Sequence, residues 1–174
     1  MAGNIWVISD THFYHQNIIE YCNRPFKTAA EMNDYMVTMW NETVKDGDKV
    51  YHLGDVYMGH TNGEHERLLS SLKGQKRLVL GNHDNGKDQV LQRVFKKIEV
   101  WRMFPEFGLL LTHVPVHPSA LQKGNRTGQG KEMLELTNVF GHIHANPAPE
   151  GPYRCVCVEQ INYKPINIET LRVR

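Results

Sequence analysis

Short apolar runs punctuate this chain, and amphipathic stretches fill the gaps between them. Asn4–Ser9, Val50–Leu53, Arg77–Leu80 and Leu109–Thr112 are dominated by apolar residues over too short a span for a helix, which predicts strands buried on both faces. Ile98–Trp101 and Val139-Phe140 read as further strands. Thr28 and Glu31 have capping-box spacing ahead of Met32, Tyr35, Met36, Met39, Trp40 and Val44, whose helical period predicts a helix ending near Gly47. Thr61 and Glu64 repeat that spacing before Leu68, Leu69 and Leu72, with Gly74 as a stop. Val90, Leu91, Val94 and Phe95 predict a helix over Asp88–Phe95, and Ile18, Ile19 and Cys22 a helical turn before Arg24-Pro25.

Two prolines and three glycines in Pro115–Gly130 predict a loop. The tail Arg154–Val173 alternates enough for one or two strands that complete a sheet and contribute nothing to a site. Strands alternating with helices, then strands in succession, predict an α/β fold in one domain spanning residues 1–174.

Composition narrows the function. Twenty basic against nineteen acidic residues leave a net charge of +1, which argues against stable binding to long nucleic acid or to an anionic membrane. Three cysteines make no disulfide framework and point to a reducing compartment, with Cys155 and Cys157 read as small buried hydrophobes. With no basic segment leading into an apolar stretch, and no apolar run near the roughly 18 residues a bilayer needs, a cytoplasmic protein is expected. The methionines of the Met32–Met39 stripe read as core. Oligomeric state is left open.

Ten histidines are the unusual feature, because neutral imidazole is a common metal ligand. Metal-competent residues follow the ends of short apolar strands in five places: Asp10 and His12, Asp55, Asn82, His113, and His142 with His144. Loops at the carboxyl ends of strands share one edge of an α/β sheet, so these seven residues can converge on two metal ions. Carboxylates, imidazoles and an amide oxygen, without thiolate, suit borderline or hard ions such as Mn²⁺, Fe²⁺ or Zn²⁺ alike. Mn²⁺ is the expected ion, with Fe²⁺, Zn²⁺ or Ni²⁺ as alternatives. Two ions about 3.5–4 Å apart need a bridge, and Asp55 is the natural one.

The ordered set Asp-x-His at 10–12, Gly-Asp at 54–55, Gly-Asn-His-Asp at 81–84, His113 and Gly-His-x-His at 141–144 resembles the calcineurin-like metallophosphoesterase superfamily. The runs from Asp10 to Ile18 and from His113 to Pro118 are similar to its small uncapped bacterial and phage-type members. The resemblance implies a four-layer α/β/β/α sandwich of two mixed sheets flanked by helices. It implies that Asp10, His12 and His144 hold one metal and Asn82, His113 and His142 the other, with Asp55 bridging. It implies in-line attack on phosphorus by a metal-bound hydroxide, His83 as general acid, and Asp84 orienting His83.

His15, Arg24, His117 and Arg126 are candidates for phosphate contact, the last beside Lys123 in the expected loop. His52 is expected to be a core or supporting residue, and His60 and His65 surface residues. The expected partner is a small phosphate ester, a nucleotide among the candidates. Without a large insertion to cap the site, an open cleft favours a phosphodiester over a monoester. Two alternatives stand beside this reading: a scaffold of the same fold that binds protein partners, and a nuclease acting on short nucleic-acid ends.

Overall fold

The computed structural model describes residues 3–59, 63–127 and 130–172, with backbone alone for 123–127 and 130–134. Strands β1 (Ile5–Ile8), β2 (Lys49–His52), β3 (Gln75–Val79) and β4 (Ile98–Glu99) run parallel, and β11 (Ile166–Asn167) pairs antiparallel with β1 at the edge. The second sheet has the order β10 (Tyr153–Cys155), β9 (Thr137–Phe140), β6 (Leu109–Leu111), β5 (Arg102–Phe104). In it β10, β9 and β6 are parallel and β5 is antiparallel. Helices α1 (Gln16–Tyr21), α2 (Ala29–Thr43), α3 (Gly63–Ser71) and α4 (Gln89–Val94) connect the strands of the first half. This is the expected α/β fold of two mixed sheets flanked by helices.

Strand periodicity explains the layering. Side chains alternate across a strand. In β2, His52 stacks on Trp40 of α2 and meets Phe95 after α4, whereas Tyr51 points the other way onto Phe104 of the second sheet, ring centroids 5.1 Å apart. In β6, Leu109 and Leu111 join the main core, while Leu110 turns outward to pack with Leu121, Phe140 and Tyr153. A 3₁₀ turn, Pro118–Leu121, supplies Leu121 to that outer cluster.

Local chemistry fixes the boundaries. Thr28 caps α2 by accepting from the Glu31 amide, and the Glu31 carboxylate reaches back to the Lys27 amide. The helix stops at Thr43, four residues before Gly47, because Val44 turns extended to bury its side chain and the Lys45 amide is taken by Asp48. Asp88 caps α4 through the amides of Val90 and Leu91. Thr61 and His60 lie outside the described residues. The expected loop after Pro115 instead contains the 3₁₀ turn and a hairpin, β7 (Gln122–Thr127) with β8 (Gly130–Glu135). The strand expected over Ile98–Trp101 is also divided: β4 ends at Glu99, and the chain crosses to the second sheet through exposed Val100 and Trp101.

Asp48 ties the β1 segment to the turn between α2 and β2, since its carboxylate accepts from the Asn4 amide, the Lys45 amide and the Trp6 indole. Asp48→Ala is expected to lower stability by about 2–3 kcal/mol, because three donors lose their acceptor. Urea unfolding followed by circular dichroism measures this, and a loss below a few tenths of a kcal/mol would refute it.

Candidate metal centre

Parallel strands bring their carboxyl ends to one edge. Asp10, Asp55 and Asn82 follow β1, β2 and β3, and His113 and His142 follow β6 and β9. The sheets are stitched together at this edge by an isolated parallel bridge, Ser9 with Cys157. The loop backbones continue the pairing beyond the strands: the Asp10 amide donates to Gly54 O, His12 to Asp55 O, and Phe13 to Val56 O.

The backbone of the candidate ligands is unusual. Asp10, His12, Asp55, His142 and His144 have φ between 47° and 69°, the left-handed region that side-chain-bearing residues seldom occupy. Gly141 makes the closest approach possible, since a Cβ there would overlap Ser9 Oγ and Asp10 Oδ2.

Two groups of ligand atoms result. Those of Asp10, His12 and His144 lie within 4.8 Å of one another, as do those of Asp55, His113 and His142. Asn82 Oδ1 completes the second group, 2.8 Å from His113 Nε2 and 2.9 Å from His142 Nδ1. Asp55 Oδ2 lies between the groups, 3.6 Å from His12 Nε2 and 3.5 Å from His113 Nε2.

The donors fit cations. Asp10 Oδ1 and His12 Nε2 are buried with no hydrogen-bond partner among the described residues, a costly arrangement that a metal ion would relieve. The other Asp10 oxygen is fully used, taking the His142 amide at 2.8 Å, the Ser9 hydroxyl at 2.5 Å and the Cys157 thiol at 3.4 Å. Burial opposes ionisation of Asp10, but the nearby His12 and His113 imidazoles, the Ser9 hydroxyl and the His142 amide outweigh it and hold its carboxyl well below the usual range.

Supporting residues fix the ligands from behind. Glu159 Oε1 sits 3.0 Å from His144 Nδ1, which leaves Nε2 facing Asp10. Burial works against the charge on both groups, yet their mutual bond raises the His144 pKa and lowers that of Glu159. Arg24 clamps Glu159 through Nη2 at 2.7 Å and Nε at 2.9 Å, and donates to the carbonyls of Asp10 and Thr11. His52 is buried between the Thr11 hydroxyl and the Gly54 amide, and burial drives its pKa down to about 3, so it stays neutral.

Several sequence expectations are revised. Arg24, expected at the phosphate, is spent inside this brace. Asp84 makes no hydrogen bond to the His83 ring among the described residues; its two oxygens accept the amides of Gly81, Asp55 and Val56 and so tie two ligand loops together. His83 itself is exposed, its amide held by Asp55 Oδ1 and its ring 5.7 Å from that of His12. His117 caps the 3₁₀ turn by accepting from the Ser119 amide, so its Nδ1 is turned onto its own backbone. The side chains of Lys123 and Arg126 lie outside the described residues. His65 is buried against Tyr14 and Tyr57, not on the surface.

His15 does reach the site, 5.5 Å from the His12 ring. Its pKa is lowered, first by burial and then by neighbouring His12 and His83. The sequence reading missed Glu159 and the Cys157 thiol. The signal was there: Val156-Cys157-Val158 followed by Glu159 is an apolar run ending in a carboxylate, passed over because the tail holds no histidine.

Comparison with known proteins agrees with the geometry. The model of the calcineurin-like phosphoesterase superfamily domain matches residues 4–156. A protein of Methanocaldococcus jannaschii, uncharacterised by its own name, is 35% identical over 175 residues, covering 96% of this chain and 88% of that one. The gene 66 protein of Mycobacterium phage L5 is 36% identical over 87 residues, 47% of this chain and 40% of its own. The crystal structure of a protein of unknown function from Aquifex aeolicus superposes with a TM-score of 0.72 at 28% identity, covering 97% of both chains.

Glu159→Gln should weaken the Asp10–His12–His144 position selectively, by about 10–100-fold in metal affinity, and leave the Asn82–His113–His142 position near its original value. Metal titration with a chelator competitor resolves the two steps; equal weakening of both would show that Glu159 does not act through His144.

Proposed function

The chain belongs to the calcineurin-like phosphoesterase superfamily and is a metal-dependent phosphoric ester hydrolase, and from that premise we propose that it cleaves a phosphodiester with His83 as general acid. One observation carries the choice of a diester: the ligand cluster opens onto separate cavities on its two sides. One, of about 590 Å³, is lined by His12, His15, His83 and His144 together with Ile18 and Tyr21. The other, of about 550 Å³, includes Asn82 and His113 in its wall. A phosphorus atom held at the cluster thus has room for a substituent in each direction, which a monoester would not use.

Two divalent ions, proposed as Mn²⁺, would supply an activated water and neutralise charge on the phosphoryl oxygens. Asp10, His12 and His144 would hold one and Asn82, His113 and His142 the other, with Asp55 shared. Fe²⁺, Zn²⁺ and Ni²⁺ suit the same donors, whereas Cys157 is committed to Asp10 and adds no thiolate. In the reaction the water oxygen bonds to phosphorus, the P–O bond to the leaving group breaks, and that oxygen takes the proton from His83. His83 suits this role because it is exposed, stands apart from both ligand groups, and has its backbone fixed by the bridging carboxylate. Asp55 thereby sets both the metal positions and the place of the acid.

The substrate is a small phosphate ester, with nucleotides in the candidate set, met in the cytoplasm by a single domain spanning residues 1–174. Near-neutral charge supports a small ligand over long nucleic acid, and no helix among the described residues is long and apolar enough to cross a membrane.

His83→Ala is expected to keep both ions and lower kcat by about 10²–10⁴-fold, more for a poor alkyl leaving group than for p-nitrophenolate. Asp55→Ala should lose ions and activity together. Metal content by plasma emission spectroscopy, beside rates on aryl and alkyl diesters, separates the two; an equal His83→Ala effect on every leaving group would remove it from the acid role.

A further inference from the structure

The cavity beside Asn82 and His113 has a character that phosphate chemistry does not require. Its walls include Leu80, Val100, Trp101, Met103, Val114 and Val116. Val100 is 72% and Trp101 56% exposed, apolar surface held open at the point where the chain crosses between sheets. The lining residue Thr112 cannot serve a polar ligand well, since its hydroxyl donates to Val114 O and accepts from Asn138 Nδ2. The remaining polar lining side chains, Asn82 and His113, belong to the ligand cluster.

We infer that this cavity is the subsite for a planar aromatic substituent of the phosphate ester, with the Trp101 indole as its contact face. The inference rests on the phosphodiesterase reading and gives it a substrate class. Continuity fixes the occupant: two of the candidate ligands form one wall, so a group lying here is attached to the phosphorus they address. A volume of about 550 Å³ admits a ring system, and an exposed indole offers it a stacking partner. His83 is not in this wall; it lines the cavity of His12 and His144 and a smaller one with Tyr57 and Asp84. The aromatic group is therefore the one that keeps its bond to phosphorus, and the group beside His83 is the one released.

The test uses inert probes on the Mn²⁺-loaded protein. Phenylphosphonate should bind about tenfold tighter than methylphosphonate by calorimetry, Trp101→Ala should bring that ratio close to one, and Trp101→Phe should retain most of it. Because Trp101 is exposed, its truncation leaves the core intact, which circular dichroism verifies. No phenyl preference in the wild type, or an unchanged ratio in Trp101→Ala, overturns the subsite. A wild-type dimer dissociated by Trp101→Ala in sedimentation, without a phenyl preference, overturns it in favour of a self-association face. Turnover of bis(p-nitrophenyl) phosphate is scored separately: a Trp101-dependent phenyl preference with no diester hydrolysis establishes the subsite and sinks the phosphodiesterase reading alone.

Discussion

Everything at the site depends on holding backbone where it would not rest by itself. Five ligand-bearing residues sit in the left-handed region, each at a cost of order 1 kcal/mol, against a typical total stability of about 5–15 kcal/mol. Histidine and aspartate tolerate this conformation better than most residues, which softens the cost without removing it. The remainder is offset by bonds between loops. Arg24 takes the carbonyls of Asp10 and Thr11, Asp84 takes the amides around Asp55, and the His142 amide caps Asp10. Each of these joins two segments, so no ligand loop keeps its shape alone.

This arrangement gives polar side chains of one type different work. The rings of His12 and His144 lie beside each other at the candidate metal position, centroids 5.2 Å apart. His52, as buried as His12, is kept neutral and ties the loop of Asp10 to that of Asp55. His83 is left in the open. What separates them is the number of neighbours already using their nitrogens. Among these four, His52 has both nitrogens engaged by protein groups, His12 and His144 each keep Nε2 facing a carboxylate, and His83 is open to a substrate.

The strands and the helices around them were legible in the sequence because short apolar runs and capping residues act locally, as Thr28 and Asp88 illustrate. The strand-end positions of the motif residues were legible for the same reason. What stayed hidden is set by distance. Arg24 and Glu159 are 135 residues apart, and nothing local distinguishes a surface arginine from one that will be buried against a carboxylate from the tail. Asp84 misled in the opposite way: adjacency to His83 suggested a partnership, but the chain turns its carboxylate back onto amides. The hairpin of β7 and β8 escaped because its glycines, and the prolines ahead of it, read as irregular chain while its pairing is a property of two segments.

The two-sheet construction also accounts for a site with two mouths. Ligands from the first sheet, Asp10, His12, Asp55 and Asn82, meet those of the second, His113, His142 and His144, along the seam where Ser9 pairs with Cys157. On the proposed diester reading, the two cavities along this seam would receive the two substituents. One mouth is bordered by the helical segment after His12, which brings His15 and Tyr21. The other is bordered by the crossover from β4 to β5, where the chain must leave one sheet for the other and exposes Val100 and Trp101 in doing so. The ligand geometry is confined by mutual bonding between loops, whereas the crossover is constrained only to bridge the sheets. Its side chains are thus free to vary without disturbing the metal positions, and substrate preference is the property such variation would tune.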